Sequence, residues 1–340
     1  MGTICDVVPL IGENRVLASY GLKVLRRTRR IGLRALAEVG GVDIAAITAH
    51  EVGFVLGPRM NAAGRLEHAS RSLELVQTSS GERAREIAGE LEELNLARRA
   101  DQARIFSAAD EMASRYADDR VLVLADPNWS HGVVGIVASK LAEKWERPVL
   151  LAQILGDRIK GSARSVVGFN MVEALRSQAD MLDKFGGHFF AAGYTLPVAR
   201  WDELRVGINR YYASLDRPDA EEPRSAKPEL SWGNLGQVSL ELIDTLSVLE
   251  PFGNANPKPL VRVDGLRVER VRPVGSDGKH LSMRLRDEVG RELAAIGFGL
   301  AERYRTVVVG QKVSVCGHLS TNVYLGRSTA QLLLSEIGHE

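Results

Sequence analysis

Residues 121–154, VLVLADPNWSHGVVGIVASKLAEKWERPVLLAQI, decide the fold class of this chain. Two short apolar runs, VLVLA (121–125) and PVLLAQI (148–154), flank SHGVVGIVASKLAEKW (130–145), which has helical composition and Ser130 at the N-cap position. Two buried strands joined through a helix of this length pair in parallel, so the stretch reads as a βαβ unit. Downstream, KGSARSV (160–166) reads as a strand and FNMVEALRSQADML (169–182) as a helix. FGGHFFAAGYTL (185–196) follows as a glycine-rich turn entering another strand. Residues 119–215 are therefore expected to form a compact α/β domain.

Upstream, residues 82–116 contain no proline and carry Ile87, Leu91, Leu94 and Ala97 at three- and four-residue spacings. A helix over 81–118 that connects two domains is the simplest reading. Residues 1–80 mix short apolar runs with helical patterns. In MGTICDVVPL (1–10) the surroundings of Asp6 read as a short buried strand, an expensive place for a carboxylate. Residues 216–229, DRPDAEEPRSAKPE, hold three prolines and almost nothing apolar, and read as a linker. Beyond it, VSLELIDTLSVLEPF (238–252) patterns as an amphipathic helix. Several short β-branched runs then suit a barrel of about five strands over 230–340, and an OB-fold is the form expected.

Composition bounds the function loosely. The chain has 340 residues, 45% of them hydrophobic, and 44 Lys plus Arg against 43 Asp plus Glu, so affinity for a polyanion must come from local clusters. Cys5 and Cys316 are far apart and form no C-x-x-C pair, which argues against a zinc site or a disulfide framework and fits a reducing cytoplasm. No apolar run approaches membrane-span length, and the N-terminus lacks the pattern of an export signal, so a cytoplasmic location without membrane contact is expected.

Four groups of residues could carry chemistry. GPRMNAAGR (57–65) places Arg59, Asn61 and Arg65 on an apparent tight turn, where two guanidiniums and an amide could grip phosphate oxygens. A helix-entry turn with its arginines paired to acids such as Glu67 is the bland reading. GSARS (161–165) offers Ser162, Arg164 and Ser165 beside a glycine as an anion cradle, although ordinary turns contain the same residues. FGGHFFAAG (185–193) sets His188 beside Gly186 and Gly187, where a backbone can approach a ligand, although a lone histidine is more often structural. His131, GSARS and GGH all fall at element ends of one α/β domain, where ligand sites gather. In the last domain Lys279 and Arg327, with Tyr324 near Arg327, supply the cations and stacking ring that single-strand binders use; a plain polar barrel surface is the alternative. The basic run from Lys23 reads equally as the solvated face of a helix.

GTICDVVPLIGENR, GPRMNAAGR, SHGVVGIVASKLAEKWERPVLL, GSARS, FGGHFFAAG, PFGNANPKP and NVYLGRSTAQLLL, in this order, resemble the RecJ family of single-strand-specific DNA exonucleases in the DHH phosphoesterase superfamily. The resemblance implies the end of a DHH catalytic domain over 1–80, a connecting helix, a DHH-associated α/β domain and a closing OB barrel. It implies 5′-to-3′ hydrolysis of single-stranded DNA in recombination and repair, at a pair of Mn2+ or Mg2+ ions, with a helicase or single-strand-binding protein as partner. Asp6 matches the aspartate of the fourth metal motif and would be a metal ligand and catalytic residue. His131, Ser162, Arg164, Ser165, Gly186, Gly187 and His188 match the phosphate-gripping motifs, and Arg59, Asn61 and Arg65 the phrase that lines the DNA path.

The Asp-His-His signature and the earlier acidic motifs are absent from the sequence. One carboxylate cannot hold a metal pair, because hard cations need several oxygen or imidazole ligands. The chain is therefore expected to be the C-terminal portion of such an enzyme and inactive alone, or else a non-catalytic DNA-holding module of a replication or repair complex. The OB-like tail disfavours a third reading, action on short oligonucleotides or cyclic dinucleotides.

Overall fold

A one-turn helix opens the chain where a strand was expected. The computed structural model describes residues 1–66, 68–215 and 227–339. In it Gly2–Cys5 form α1, the Asp6 N–H donates to the Gly2 carbonyl at 2.8 Å, and Asp6 is exposed. Valine-rich composition suggested a strand, but among the described residues none of residues 1–10 pairs with a sheet, and the N–H groups of residues 4–8 bond locally instead. The desolvation cost assumed for Asp6 does not arise.

The chain then runs through α2 (Gly12–Arg26), α3 (Ile31–Val39), α4 (Ala49–Glu51), α5 (Gly57–Leu66), α6 (Ser70–Gln77) and α7 (Gly81–Ser114). A π-helical segment, Val52–Leu56, joins α4 to α5. GPRMNAAGR is thus helical, not a turn. Gly57 and Pro58 continue the helical run directly after the π-helical segment, and Ala62 and Ala63 are fully buried, their small side chains letting α5 lie close against α7. Ser80 caps α7, its hydroxyl accepting from the Arg83 N–H. The buried stripe of α7 runs through Ile87, Leu91, Asn95, Gln102, Ile105 and Ala109.

The expected βαβ unit follows as β1 (Leu122–Asp126), α8 (His131–Trp145) and β2 (Val149–Leu155), with β1 and β2 parallel. Next come β3 (Arg158–Arg164), α9 (Met171–Arg176), β4 (Lys184–Gly187), β5 (Ala191–Pro197) and α10 (Trp201–Ser214), giving a sheet of order β1-β2-β3-β5-β4. The paired glycines 186 and 187 end a strand rather than form a turn. Because side chains alternate along a strand, the sheet has two cores. Leu122, Leu124, Val149 and Leu151 pack against α7 and α8. Leu150, Ala152, Ile159, Ala163, Tyr194 and Leu196 pack on the other side, with Ala174 and Leu175 of α9 and Leu204 and Ile208 of α10.

After the linker, of which residues 216–226 lie outside the described residues, come β6 (Leu230–Trp232), α11 (Leu240–Ser247), β7 (Val261–Val274), β8 (His280–Arg286), β9 (Glu292–Gly297), β10 (Lys312–Tyr324) and β11 (Arg327–His339). The order β10-β11-β9-β8-β7, closed by β10–β7 pairing, is the expected five-stranded barrel. Its interior holds Val261, Val263, Leu285, Val313, Val315 and Leu332, all fully buried.

Met1–Val24 form one compact unit with this C-terminal part, and the chain from Leu25 forms the other, which differs from a single segment over 1–80. The phrase PFGNANPKP explains the grouping. The Leu10 N–H donates to the Asn254 carbonyl at 2.7 Å, Asn254 Nδ2 donates to the Val7 carbonyl at 2.8 Å, and buried Leu10 fills the space left by Gly253. Among the described residues no helix is long and apolar enough to cross a membrane.

Candidate nucleic-acid interface

Leu151, Ser162, Gly193 and Gly186 stand in register across β2, β3, β5 and β4. Alternation puts all four on the face that α8 covers, but α8 reaches only as far as β3. A Cβ on Gly135 of α8 would lie 3.2 Å from Ser162 Oγ and 3.0 Å from Arg164 Nη2, whereas Gly193 and Gly186 are exposed. A Cβ on Gly186 would meet nothing within 4 Å, and one on Gly193 only the Gly161 carbonyl at 3.9 Å. The outer half of this sheet face is therefore a bare backbone floor beside the flank of α8. Gly187, one residue on, belongs to the opposite side, where a Cβ would strike the Ala191 carbonyl at 2.3 Å.

Arg164 and Arg65 lie beside this floor and Arg98 on α7, and no ion pair joins any of the three to a carboxylate among the described residues. Arg164 Nε donates to Ser139 Oγ at 3.1 Å and Nη1 to the Ala163 carbonyl at 2.8 Å, so the guanidinium is fixed by neutral groups. Burial lowers its pKa, and the like charge of Arg65 lowers it further. Arg65 Nη1 donates to the Gly132 carbonyl at the start of α8. Arg98, on α7, was not singled out by the sequence. Its Nη2 donates to Asn95 Oδ1 at 2.9 Å and its Nη1 to Gln102 Oε1 at 3.1 Å, while Nε is buried with no partner. Burial, then Arg65 and Arg99, lower its pKa. No carboxylate figures among the charges acting on Arg98 or Arg164. Guanidiniums that are desolvated, mutually repelled and held by amides and hydroxyls have the chemistry to receive an anion. The available signal for Arg98 was the pair of amides, Asn95 and Gln102, one heptad apart inside an otherwise apolar helix stripe.

His131 is the first residue of α8. Its N–H donates to Gln153 Oε1 at 3.0 Å, and its ring Nδ1 is buried without a partner. Burial, then the charge of Lys160, lowers its pKa below 6.5, against a hydrogen bond with the Lys160 backbone. Ser130 sits at the N-cap position, but its hydroxyl donates to Asp101 Oδ2 at 2.5 Å instead of capping the helix.

The remaining expected residues divide. Arg59 is tied down: Nε and Glu92 Oε2 are 2.5 Å apart, and Nη1 donates to the Val55 carbonyl of the π-segment at 2.8 Å. It acts on the packing of α5 and α7, while Asn61 on the same helix is exposed. The proposed partner Glu67 lies outside the described residues. Ser165 is occupied, its hydroxyl donating to the Phe169 carbonyl at 2.5 Å, so it shapes the loop. His188 is exposed directly after β4. Lys279, paired with Asp277 Oδ2 at 2.9 Å, lies on the β7–β8 turn. Arg327 faces Tyr324 across the tip of the β10–β11 hairpin, where Leu325 and Gly326 both take positive φ, as a two-residue hairpin turn requires. Loops at the ends of OB barrels commonly hold oligonucleotides.

A metal pair does not fit the residues present. Among the described residues no three His, Cys, Asp or Glu side chains come together as a possible metal site, and Asp6 alone would supply one carboxylate.

Residues 118–214 match the family model of the DHHA1 domain and residues 233–336 that of the RecJ OB domain. The single-stranded-DNA-specific exonuclease RecJ of Bacillus subtilis is 37% identical over 99% of this chain. The chain is homologous to RecJ along nearly its whole length. RecJ of Escherichia coli is 31% identical over 99% of the chain. The crystal structure of Thermus thermophilus RecJ in complex with Mn2+ matches all of this chain with a TM-score of 0.85 at 32% identity. This chain covers 43% of the Bacillus RecJ, 60% of the Escherichia RecJ and 48% of the Thermus RecJ chain, so it spans about half the length of the relatives it matches. The floor and Arg164 thus lie in the region that matches the DHHA1 model, with Lys279 and Arg327 in the region that matches the RecJ OB model.

Proposed function

We propose that this chain is the strand-holding part of a 5′-to-3′ exonuclease specific for single-stranded DNA, working in recombination and repair. Ser162, Arg164 and Arg65, with Arg98 behind them, take the terminal phosphates, and Gly186 and Gly193 form the floor over which the first nucleotides lie. His131 and His188 add donors at the edges of that floor, and Lys279 and Arg327 add contacts from the OB domain. The observation that carries this reading is the group of guanidiniums that no carboxylate among the described residues neutralises, together with a sheet face left bare by glycine. The Thermus RecJ structures are complexes with Mg2+ and Mn2+; the described residues of this chain offer Asp6 as a single candidate ligand, so no hydrolytic step is assigned to them.

The test is to offer the chain labelled single-stranded and duplex DNA at several salt concentrations, with and without Mn2+. Preferential, salt-sensitive binding of the single strand without release of nucleotides is expected. Equal affinity for duplex would contradict the assigned substrate, and nucleotide release would contradict assigning no hydrolytic step to the described residues. A second reading, a non-catalytic module that only holds single strands, is favoured by the same lack of a metal cluster among the described residues; a genomic reading frame without an Asp-His-His segment in or beside the gene would select it.

A further inference from the structure

Phe189 and Phe190 follow the GGH phrase and are 40% and 55% exposed, although burying such rings is strongly favourable. Their rings meet edge to face, with centroids 4.8 Å apart and planes at 62°. The backbone beneath them is fixed: the Ser165 N–H donates to the Phe190 carbonyl at 2.9 Å, the Met171 N–H to the Phe189 carbonyl at 2.9 Å, and the His188 N–H to the Ala191 carbonyl at 2.7 Å. Arg164 pairs with Ala191 across β3 and β5, so the aromatic pair is carried at the same end of the sheet as the phosphate-holding guanidinium.

Resting on the proposed function, we infer that Phe189 and Phe190 form a stacking ledge for one nucleobase near the 5′ end of the bound strand. A ligand that meets both a guanidinium stripped of counter-charge and a rigid aromatic surface must carry an anion and a flat ring on one short frame, which describes a nucleotide. Stacking on an aromatic ring tolerates every base, so the ledge would bind any sequence. The fixed backbone means that little ordering is required on binding. The ledge would hold the strand by a base as well as by its phosphates, and an end lacking that base would be held poorly.

The test uses the chain as it stands and 5′-phosphorylated single-stranded oligodeoxynucleotides of about ten residues with an abasic site at each of the first three positions in turn. Wild-type affinity is expected to fall about five- to a hundred-fold for one of these positions. The Phe189→Ala, Phe190→Ala double variant should bind the intact strand as weakly as wild type binds that abasic strand, and show no further loss with it. The Phe189→Tyr, Phe190→Tyr variant should restore base dependence, which separates stacking from a folding defect. Wild-type binding indifferent to all three abasic sites, or undiminished affinity in the alanine variant, would overturn the ledge. Self-association seen by sedimentation, abolished by the alanine substitutions without change in DNA affinity, would instead assign the pair to a contact with a second copy. Retained preference for the 5′-phosphate with base-indifferent binding removes the ledge alone; no preference for single strands removes both the ledge and the function it rests on.

Discussion

Arg65 and Gly132 fit against each other in both directions: Arg65 Nη1 donates to the Gly132 carbonyl at 3.2 Å, and a Cβ on Gly132 would stand 2.1 Å from the Arg65 carbonyl oxygen. The glycine lets α5 approach the N-terminal end of α8, and the arginine holds that approach. Arg65 thereby comes close enough for its charge to act on Arg164 and Arg98.

Gly132→Ala forces backbone apart from backbone, a change that no side-chain rotation can absorb. It should cost about 1–3 kcal/mol of stability in denaturant titration. It should also weaken binding of a 5′-phosphorylated strand more than that of a 5′-hydroxyl strand, because Arg65 is displaced. Full stability with unchanged binding would show that the contact positions nothing.

Gly193→Val should separate the floor from the fold. The site has ordinary φ and open space above it, so stability should stay within about 0.5 kcal/mol of wild type. Affinity for single-stranded DNA should nevertheless fall by about tenfold or more, since the new side chain stands where the strand would lie; about 1.4 kcal/mol of lost contact suffices. Unaltered affinity would move the strand off this face.

Glu92→Gln tests whether Arg59 serves packing rather than DNA. The two side chains are only 12% and 23% exposed, so removing the carboxylate leaves a largely buried guanidinium unpaired, at a cost of about 3 kcal/mol. Replacing both Arg59 and Glu92 by Met should recover most of that loss and leave single-strand affinity intact. A large affinity loss in the stable double variant would return Arg59 to the binding surface.

His131 predicts a pH dependence of stability. Its folded pKa lies below its ordinary 6.5, through burial first and Lys160 second, so the unfolded chain takes up the proton first as pH falls. Its contribution is fully favourable above 6.5 and is lost as pH drops through 6.5 toward the folded pKa. Urea unfolding of His131→Gln should therefore lose stability less steeply than wild type over that window. Parallel slopes would place the histidine in contact with water.

The elements resting on long-range apolar patterning were legible in the sequence. The βαβ unit, α7 and the barrel strands follow from runs whose periodicity states which side is buried. Two stretches were misread for opposite reasons. In GPRMNAAGR the glycines and proline looked like turn punctuation, but they lie within a helical run whose buried Ala62 and Ala63 pack against α7, a neighbour supplied from elsewhere in the chain. In MGTICDVVPL β-branched residues looked like a strand, but a strand exists only with an edge to pair. Ser162 and Arg164 could be named from their phrase, whereas Arg98 emerged only when folding brought α7 beside α5. The engagement of Arg59 by Glu92 was invisible for the same reason, whereas that of Ser165 by the Phe169 carbonyl, four residues on, depends on how the loop turns back on itself.

The most direct test of the central claim is the ratio of affinities for 5′-phosphorylated and 5′-hydroxyl single strands of one sequence, at fixed low salt, in wild type and Arg164→Ala. Charge-assisted hydrogen bonds to a phosphate are worth about 1.5–3 kcal/mol, so wild type should prefer the phosphorylated end by about tenfold or more. The variant should lose most of that preference while still binding through the rest of the strand. A ratio near one in wild type, or the same preference in Arg164→Ala, would contradict the assignment of this floor and its arginines to the terminal phosphate.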